Sequence, residues 1–107
     1  MTKVEVYPGP CRFVAQITCE AKNKKHASIT VDTQCPNISG MIDALGPDFS
    51  PMGLVIAKPG QGIFYDYAKE HFPAHAACPV INAIIKCVEA ESGLGLKKDV
   101  YIKFIDE

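Results

Sequence analysis

The stretch from Pro79 to Ser92 sets the strongest limit on what this chain can fold into. Val80, Ile81, Ile84, Ile85 and Val88 fill most of a helical wheel, while Asn82, Lys86 and Glu89 recur at intervals of four and three and leave one narrow polar stripe. A helix so nearly apolar all round must be mostly buried, so the rest of the chain has to supply a broad surface for it. Cys78-Pro79 opens the helix. Proline is favoured at the first helical position because its missing N–H would have no intrahelical partner there, which predicts Cys78 at the N-cap. The free N–H groups and the positive dipole end then face the sulfur and favour its thiolate as a nucleophile or metal ligand.

The surface is legible at the other end of the sequence. Val4 and Val6 point to one side of a first strand that Pro8-Gly9-Pro10 ends, since two prolines donate nothing to a ladder and glycine supplies the turn. Phe13, Ala15, Ile17 and Cys19 then alternate with Val14, Gln16, Thr18 and Glu20, a period of two that predicts a strand with one apolar face. Asn23 among lysines makes a turn, and Ala27, Ile29 and Val31 alternate back as the second arm of a hairpin, with His26 exposed or in the core at its start. Cys35-Pro36 repeats the cysteine-proline helix start, and Ile38, Met41, Ile42 and Leu45 give a short amphipathic helix that Gly46-Pro47 stops.

Asp48 to Gly53 reads as a loop, and Lys58-Pro59-Gly60-Gln61-Gly62 as a turn that lacks the spacing and the Lys-Ser/Thr ending of a phosphate loop. Ile63, Phe64, Tyr67, Ala68 and His71 share one side of a helix ended by Pro73, with Phe72 packed beneath it. Gly93 stops the Pro79 helix, Leu94 and Leu96 cover the core, and Val100, Ile102 and Phe104 alternate as a last strand beside the first. The expected architecture is a single α+β domain over residues 1–107, an antiparallel sheet of about four strands with about three helices on one face, in the order β-β-β-α-α-α-β.

Composition narrows the function classes. With 107 residues, 48% hydrophobic, 21% charged and a net charge of −1, the chain is an ordinary globular protein rather than a nucleic-acid binder. The lysines at 22, 24 and 25 and at 97 and 98 fall in turns without aromatic interleaving, so no nucleic-acid partner is expected. No apolar run is long enough for a bilayer, and Lys3-Val4-Glu5-Val6-Tyr7 is a strand pattern rather than a signal peptide; no membrane association and a cytoplasmic location are expected.

Five cysteines is an odd count without an export signal, which argues against a secreted disulfide scaffold. Cys19 and Cys87 fall inside a strand and a helix and read as small core residues. Cys11, Cys35 and Cys78 stand at element boundaries that a sheet-and-helix fold often gathers at one end. Three converging thiolates suit zinc, with a fourth ligand from His75, His71 or water, or an iron–sulfur cluster with an open or externally supplied fourth position. His71 and His75 are one helical turn apart, but Pro73 between them spoils a shared face; His75 alone, just before Cys78, is placed to orient or protonate that thiol. The rival is thiol chemistry without metal, with Cys78 as nucleophile or persulfide carrier and Cys35 or Cys11 as resolving partner. A third reading makes the protein an accessory or scaffold, with an edge strand and an apolar helix serving a homodimer or a protein partner.

Cys78-Pro79-Val80-Ile81 is similar to part of the Cys-Pro-x-Pro motif of small sulfur-carrier proteins, with Ile81 in place of the second proline and without that family's β-α-β-α-β-β order. The combination Pro8-Gly9-x-Cys11, Cys35-Pro36, Cys78-Pro79-Val80 running into Ile85-Lys86-x-x-Glu89, and Gly93-Leu94-x-Leu96-x-Lys98-Asp99-Val100 resembles, over nearly the whole chain, a small uncharacterised family found largely in anaerobic bacteria and archaea. That resemblance implies no established activity, but its motifs carry the same three cysteines. The chain departs from the family pattern at Arg12, where glycine is usual after the cysteine, and at Ile81, where proline is usual.

Overall fold

The β1 strand (Thr2–Val6), β2 (Ala15–Ala21) and β3 (Ala27–Thr33) form an antiparallel meander, as their alternation requires. The computed structural model describes residues 1–106. Thr2, Cys19 and Ile29 lie in one row across the sheet, Val4, Ile17 and Val31 in the next, so a single face collects the apolar side chains. Gln16, Glu20, Thr30 and Asp32 occupy the opposite, exposed face. The β2–β3 turn is closed by Asn23, whose side-chain oxygen accepts from the N–H groups of Lys25 and His26 at 2.8 and 2.9 Å, leaving His26 exposed.

Four helices complete the chain. The first, α1 (Pro36–Leu45), packs on β3 and buries Ile38 and Met41, with Cys35 at its N-cap and Pro36 in its first turn as the sequence predicts. Two short elements stand where a loop was expected. Asp48 and Phe49 form β4, paired with Ser28 and Ala27, and Pro51–Val55 forms α2, capped by the Ser50 hydroxyl accepting from the Gly53 N–H at 3.3 Å. His26 Nδ1 lies 2.9 Å from Asp48 Oδ2, tying β4 to the head of β3. The third helix, α3 (Ile63–His71), packs on α1 and buries Phe64 against Phe49, ring centroids 5.4 Å apart.

The last helix, α4 (Val80–Glu91), lies across β1 and β2 with α2 along its flank. Val80, Ile81, Ile84, Cys87 and Val88 are buried, and Asn82, Lys86 and Glu89 remain on the wetter side. Its start differs from the expectation by one residue: Pro79 is the N-cap, its carbonyl accepting the first helical bond from Ala83, and Cys78 stands one position outside. Among the described residues no helix is long and apolar enough to cross a membrane.

The expected last strand is not formed. The sheet runs β1-β2-β3-β4, its fourth strand is Asp48–Phe49, and residues 96–106 belong to no helix or strand. Leu94 and Leu96 do not cover the core but are exposed, as are Val100, Tyr101, Ile102, Phe104 and Ile105. The reason lies at the end of α4. The N–H groups of Leu94 and Gly95 both donate to the Glu89 carbonyl, turning the chain back along the helix, and Gly95 sits so close to the Glu89 side chain that a β-carbon there would meet it at 2.5 Å. The chain past this turn does not pair with β1.

Candidate functional site

Register brings two of the boundary cysteines to one end of the sheet. Val6 pairs with Ala15 and Ala15 with Thr33, so the β1–β2 turn that carries Cys11 and the β3–α1 junction that carries Cys35 share that end. The other end is fixed by Glu91, which accepts from the Thr2 hydroxyl at 2.6 Å and the Ala21 N–H at 2.9 Å. A helix of 12 residues spans about 18 Å, close to the length of these strands, so the start of α4 and Cys78 return to the Cys11 and Cys35 end.

The three thiols sit there in different settings. Cys35 and Cys78 are half-buried and pack against the core, whereas Cys11 is exposed. The Cys35 N–H donates to the Thr33 hydroxyl at 3.2 Å, and the Cys78 N–H reaches the His75 carbonyl at 3.5 Å. His75 is itself exposed, in the loop between α3 and α4. His71 is held elsewhere, stacked on Tyr67 with ring centroids 4.2 Å apart, so the two histidines share no helical face.

Sharing an end is not the same as sharing a metal. Among the described residues, no three histidine, cysteine, aspartate or glutamate side chains come together as a group able to hold a metal ion. Cys11, Cys35, Cys78 and His75 do not form such a group as they are arranged here. The physical reason is that each cysteine belongs to a different element boundary, and nothing in β1–β2, β3–α1 or α3–α4 draws those boundaries into one coordination sphere.

The turn that carries Cys11 is built from unusual backbone. Gly9 has φ +91° and Arg12 has φ +62°, both left-handed, and the Arg12 N–H donates to the Gly9 carbonyl at 2.9 Å. A side chain at Arg12 is uncommon in that region, where glycine fits without cost. Replacing Gly9 by alanine is expected to lower stability by about 1 kcal/mol through the same backbone restriction, read as a lower urea midpoint, and to change the alkylation rate of Cys11.

Between Cys11 and Cys35 the polar face holds a feature that the sequence reading missed. A cavity of about 360 Å³ is lined by Arg12, Phe13, Val14, Gln16, Asp32, Thr33 and Gln34. Beside it, Tyr7 donates to Glu5 at 2.6 Å and Gln16 donates to the same carboxylate at 3.0 Å. The Tyr7 bond first, then the Gln16 bond, hold the Glu5 carboxyl below its ordinary range, and the Tyr7 phenol is pushed up in turn. The signal available was the alternation itself: Gln16 and Asp32 pair across β2 and β3, so both had to share the open face.

Cys19 and Cys87 behave as core residues. Both are fully buried, and the Cys87 thiol donates to the Thr2 carbonyl at 3.3 Å. Burial pushes the Cys19 thiol up to about 12 and the Cys87 thiol up to about 11, which keeps both protonated and unreactive.

No curated protein and no solved structure matches this chain. The model of a family of unknown function, DUF6951, matches residues 2–104, from the first strand through the three boundary cysteines to Phe104, and the chain belongs to that family.

Proposed function

We propose that this is a small thiol protein whose working groups are Cys78 and Cys35, with Cys11 as the exposed third thiol, acting in redox or sulfur-carrying chemistry without a resident metal. The contrast between two classes of cysteine carries this reading. Cys19 and Cys87 are sealed in the core, whereas Cys11, Cys35 and Cys78 stand at one end of the sheet, partly or fully open to a reagent. Cys35 is the N-cap of α1, Cys78 stands one residue before the N-cap of α4, and Cys11 lies on a turn beside Arg12. Free working thiols belong in a reducing compartment, and a cytoplasmic location goes with this reading.

The second reading, a zinc or iron–sulfur site on the three thiolates, draws on their shared end of the sheet. One experiment separates the two. Protein purified without oxygen is assayed for zinc, iron and acid-labile sulfide, then treated with iodoacetamide and mapped by mass spectrometry. The thiol reading expects no stoichiometric metal, alkylation at Cys78, Cys35 and Cys11, and none at Cys19 or Cys87 while the protein is folded. Stoichiometric metal that is lost in Cys78→Ser and kept in Cys87→Ser would replace it with the metal reading. Metal-free protein in which Cys78 and Cys35 label no faster than Cys87 would end both and leave an accessory protein.

A further inference from the structure

We propose that residues 100–105 are a fifth strand in search of a partner, and that the partner is the β1 edge of a second copy, making the protein a strand-exchanged homodimer. Two halves of an interface are present on the same chain. One is the free edge: β1 pairs with β2 on one side only, so every second N–H and C=O of Thr2–Val6 points away from the sheet unpaired. Val4 and Val6 on that edge are only half-buried, so the apolar face stops at a ledge that one more strand would extend and cover.

The other half is the C-terminal segment. Val100, Ile102 and Phe104 alternate with Tyr101, Lys103 and Ile105, the period of a strand, yet Ile102, Phe104 and Ile105 are 84, 104 and 87% exposed. A row of that size left in water marks an unfilled contact rather than a finished surface. Laid along β1, Val100, Ile102 and Phe104 would continue the apolar rows of Val4 and Val6, and Lys103 would join Lys3 and Glu5 on the polar face. The family match spans both halves, from Thr2 to Phe104, so the segment belongs to the shared domain and is not an appendage.

The exit from α4 favours exchange over self-pairing. The bonds from Leu94 and Gly95 to the Glu89 carbonyl, with Gly95 pressed on the Glu89 side chain, fix the turn at the end of α4, and the segment beyond that turn is not paired with its own β1. A segment that stands free of its own sheet and exposes its apolar row is open to the β1 edge of a neighbouring copy. Each copy offers one edge and one segment, so a two-fold exchange satisfies both and leaves no edge over.

The test uses the full chain and Ile102→Pro, which removes one ladder donor in a segment that touches nothing else in the core. Sedimentation velocity between micromolar and hundred-micromolar protein is expected to show a dimer for the wild type and a monomer for Ile102→Pro, with unchanged helical circular dichroism. Hydrogen exchange is expected to show the amides of Tyr101 to Phe104 and the outward amides of β1 gaining protection together as the dimer forms. A wild type that is monomeric throughout overturns the proposal, whether its segment is protected by self-pairing or not. So does a dimer that survives Ile102→Pro, or one in which β1 gains no protection.

Discussion

Replacing Phe64 by alanine is expected to lower the unfolding free energy by about 3–5 kcal/mol, the usual cost of deleting a buried aromatic ring. Phe64 is 1% exposed and meets Phe49, itself 3% exposed, with the rings tilted by 40°. That contact joins α3 to β4, whose pairing with β3 is only two residues long. The surroundings are therefore poorly placed to close over the space: Phe49 is held by its short ladder, and α3 is held chiefly by α1. The neighbouring Ile63, 44% exposed, supplies the control, and Ile63→Ala is expected to cost less than about 1 kcal/mol. Urea unfolding distinguishes them, with the Phe64→Ala midpoint falling at an unchanged slope. Equal costs at the two positions would mean that Phe64 does not anchor α3. The change also has a functional reading, because α3 leads through Phe72 into the loop that presents Cys78, and a loosened α3 is expected to speed alkylation of Cys78.

The parts of this fold that the sequence reveals are those where one physical cause acts alone. Alternation in Ala15–Ala21 and Ala27–Thr33 leaves no choice of register, since a slip of one residue would turn Ile17 and Cys19 out to water. The α4 wheel likewise admits only burial, and the two cysteine-proline pairs mark helix starts to within one residue. Where two causes compete, the sequence misleads. Val100–Ile105 has the pattern of a strand, but pattern does not supply a neighbour, and beyond the turn pinned on Glu89 the segment pairs with no strand of its own sheet. Phe13 continues the alternation of β2 yet lies outside it, because Arg12 has already bent the chain into a left-handed turn. The same division governs the site. Cys19 and Cys87, inside a strand and a helix, are sealed as their place in the pattern requires, and Cys11, Cys35 and Cys78, at element boundaries, are exposed or half-buried. Whether open thiols touch depends on the side-chain geometry of three separate loops, which no local spacing encodes.

Glu91 is the other position where a single side chain is expected to carry a large effect. Its carboxylate accepts from the Thr2 hydroxyl and the Ala21 N–H and lies 3.4 Å from the Met1 ammonium, so one group pins the end of α4 to the start of β1 and the end of β2. At 12% exposure it is shielded enough for these charge-assisted bonds to count. Glu91→Ala is expected to cost about 2–3 kcal/mol, because the Ala21 N–H loses its partner and the helix end loses its tether. The pH dependence gives an independent check. The Ala21 N–H first, then the Thr2 hydroxyl, lower the Glu91 carboxyl below its ordinary value of 4.5. A carboxylate lowered on folding adds stability that is fully present above the unfolded value and is lost as the pH falls below 4.5 toward the folded one. The wild type is therefore expected to weaken through that window more steeply than Glu91→Gln, which keeps an acceptor but has no charge to lose. Parallel pH profiles for the two proteins would show that the carboxylate's charge is not what fastens α4, and that the helix is held by its neutral hydrogen bonds and its buried face, Val80, Ile81, Ile84, Cys87 and Val88.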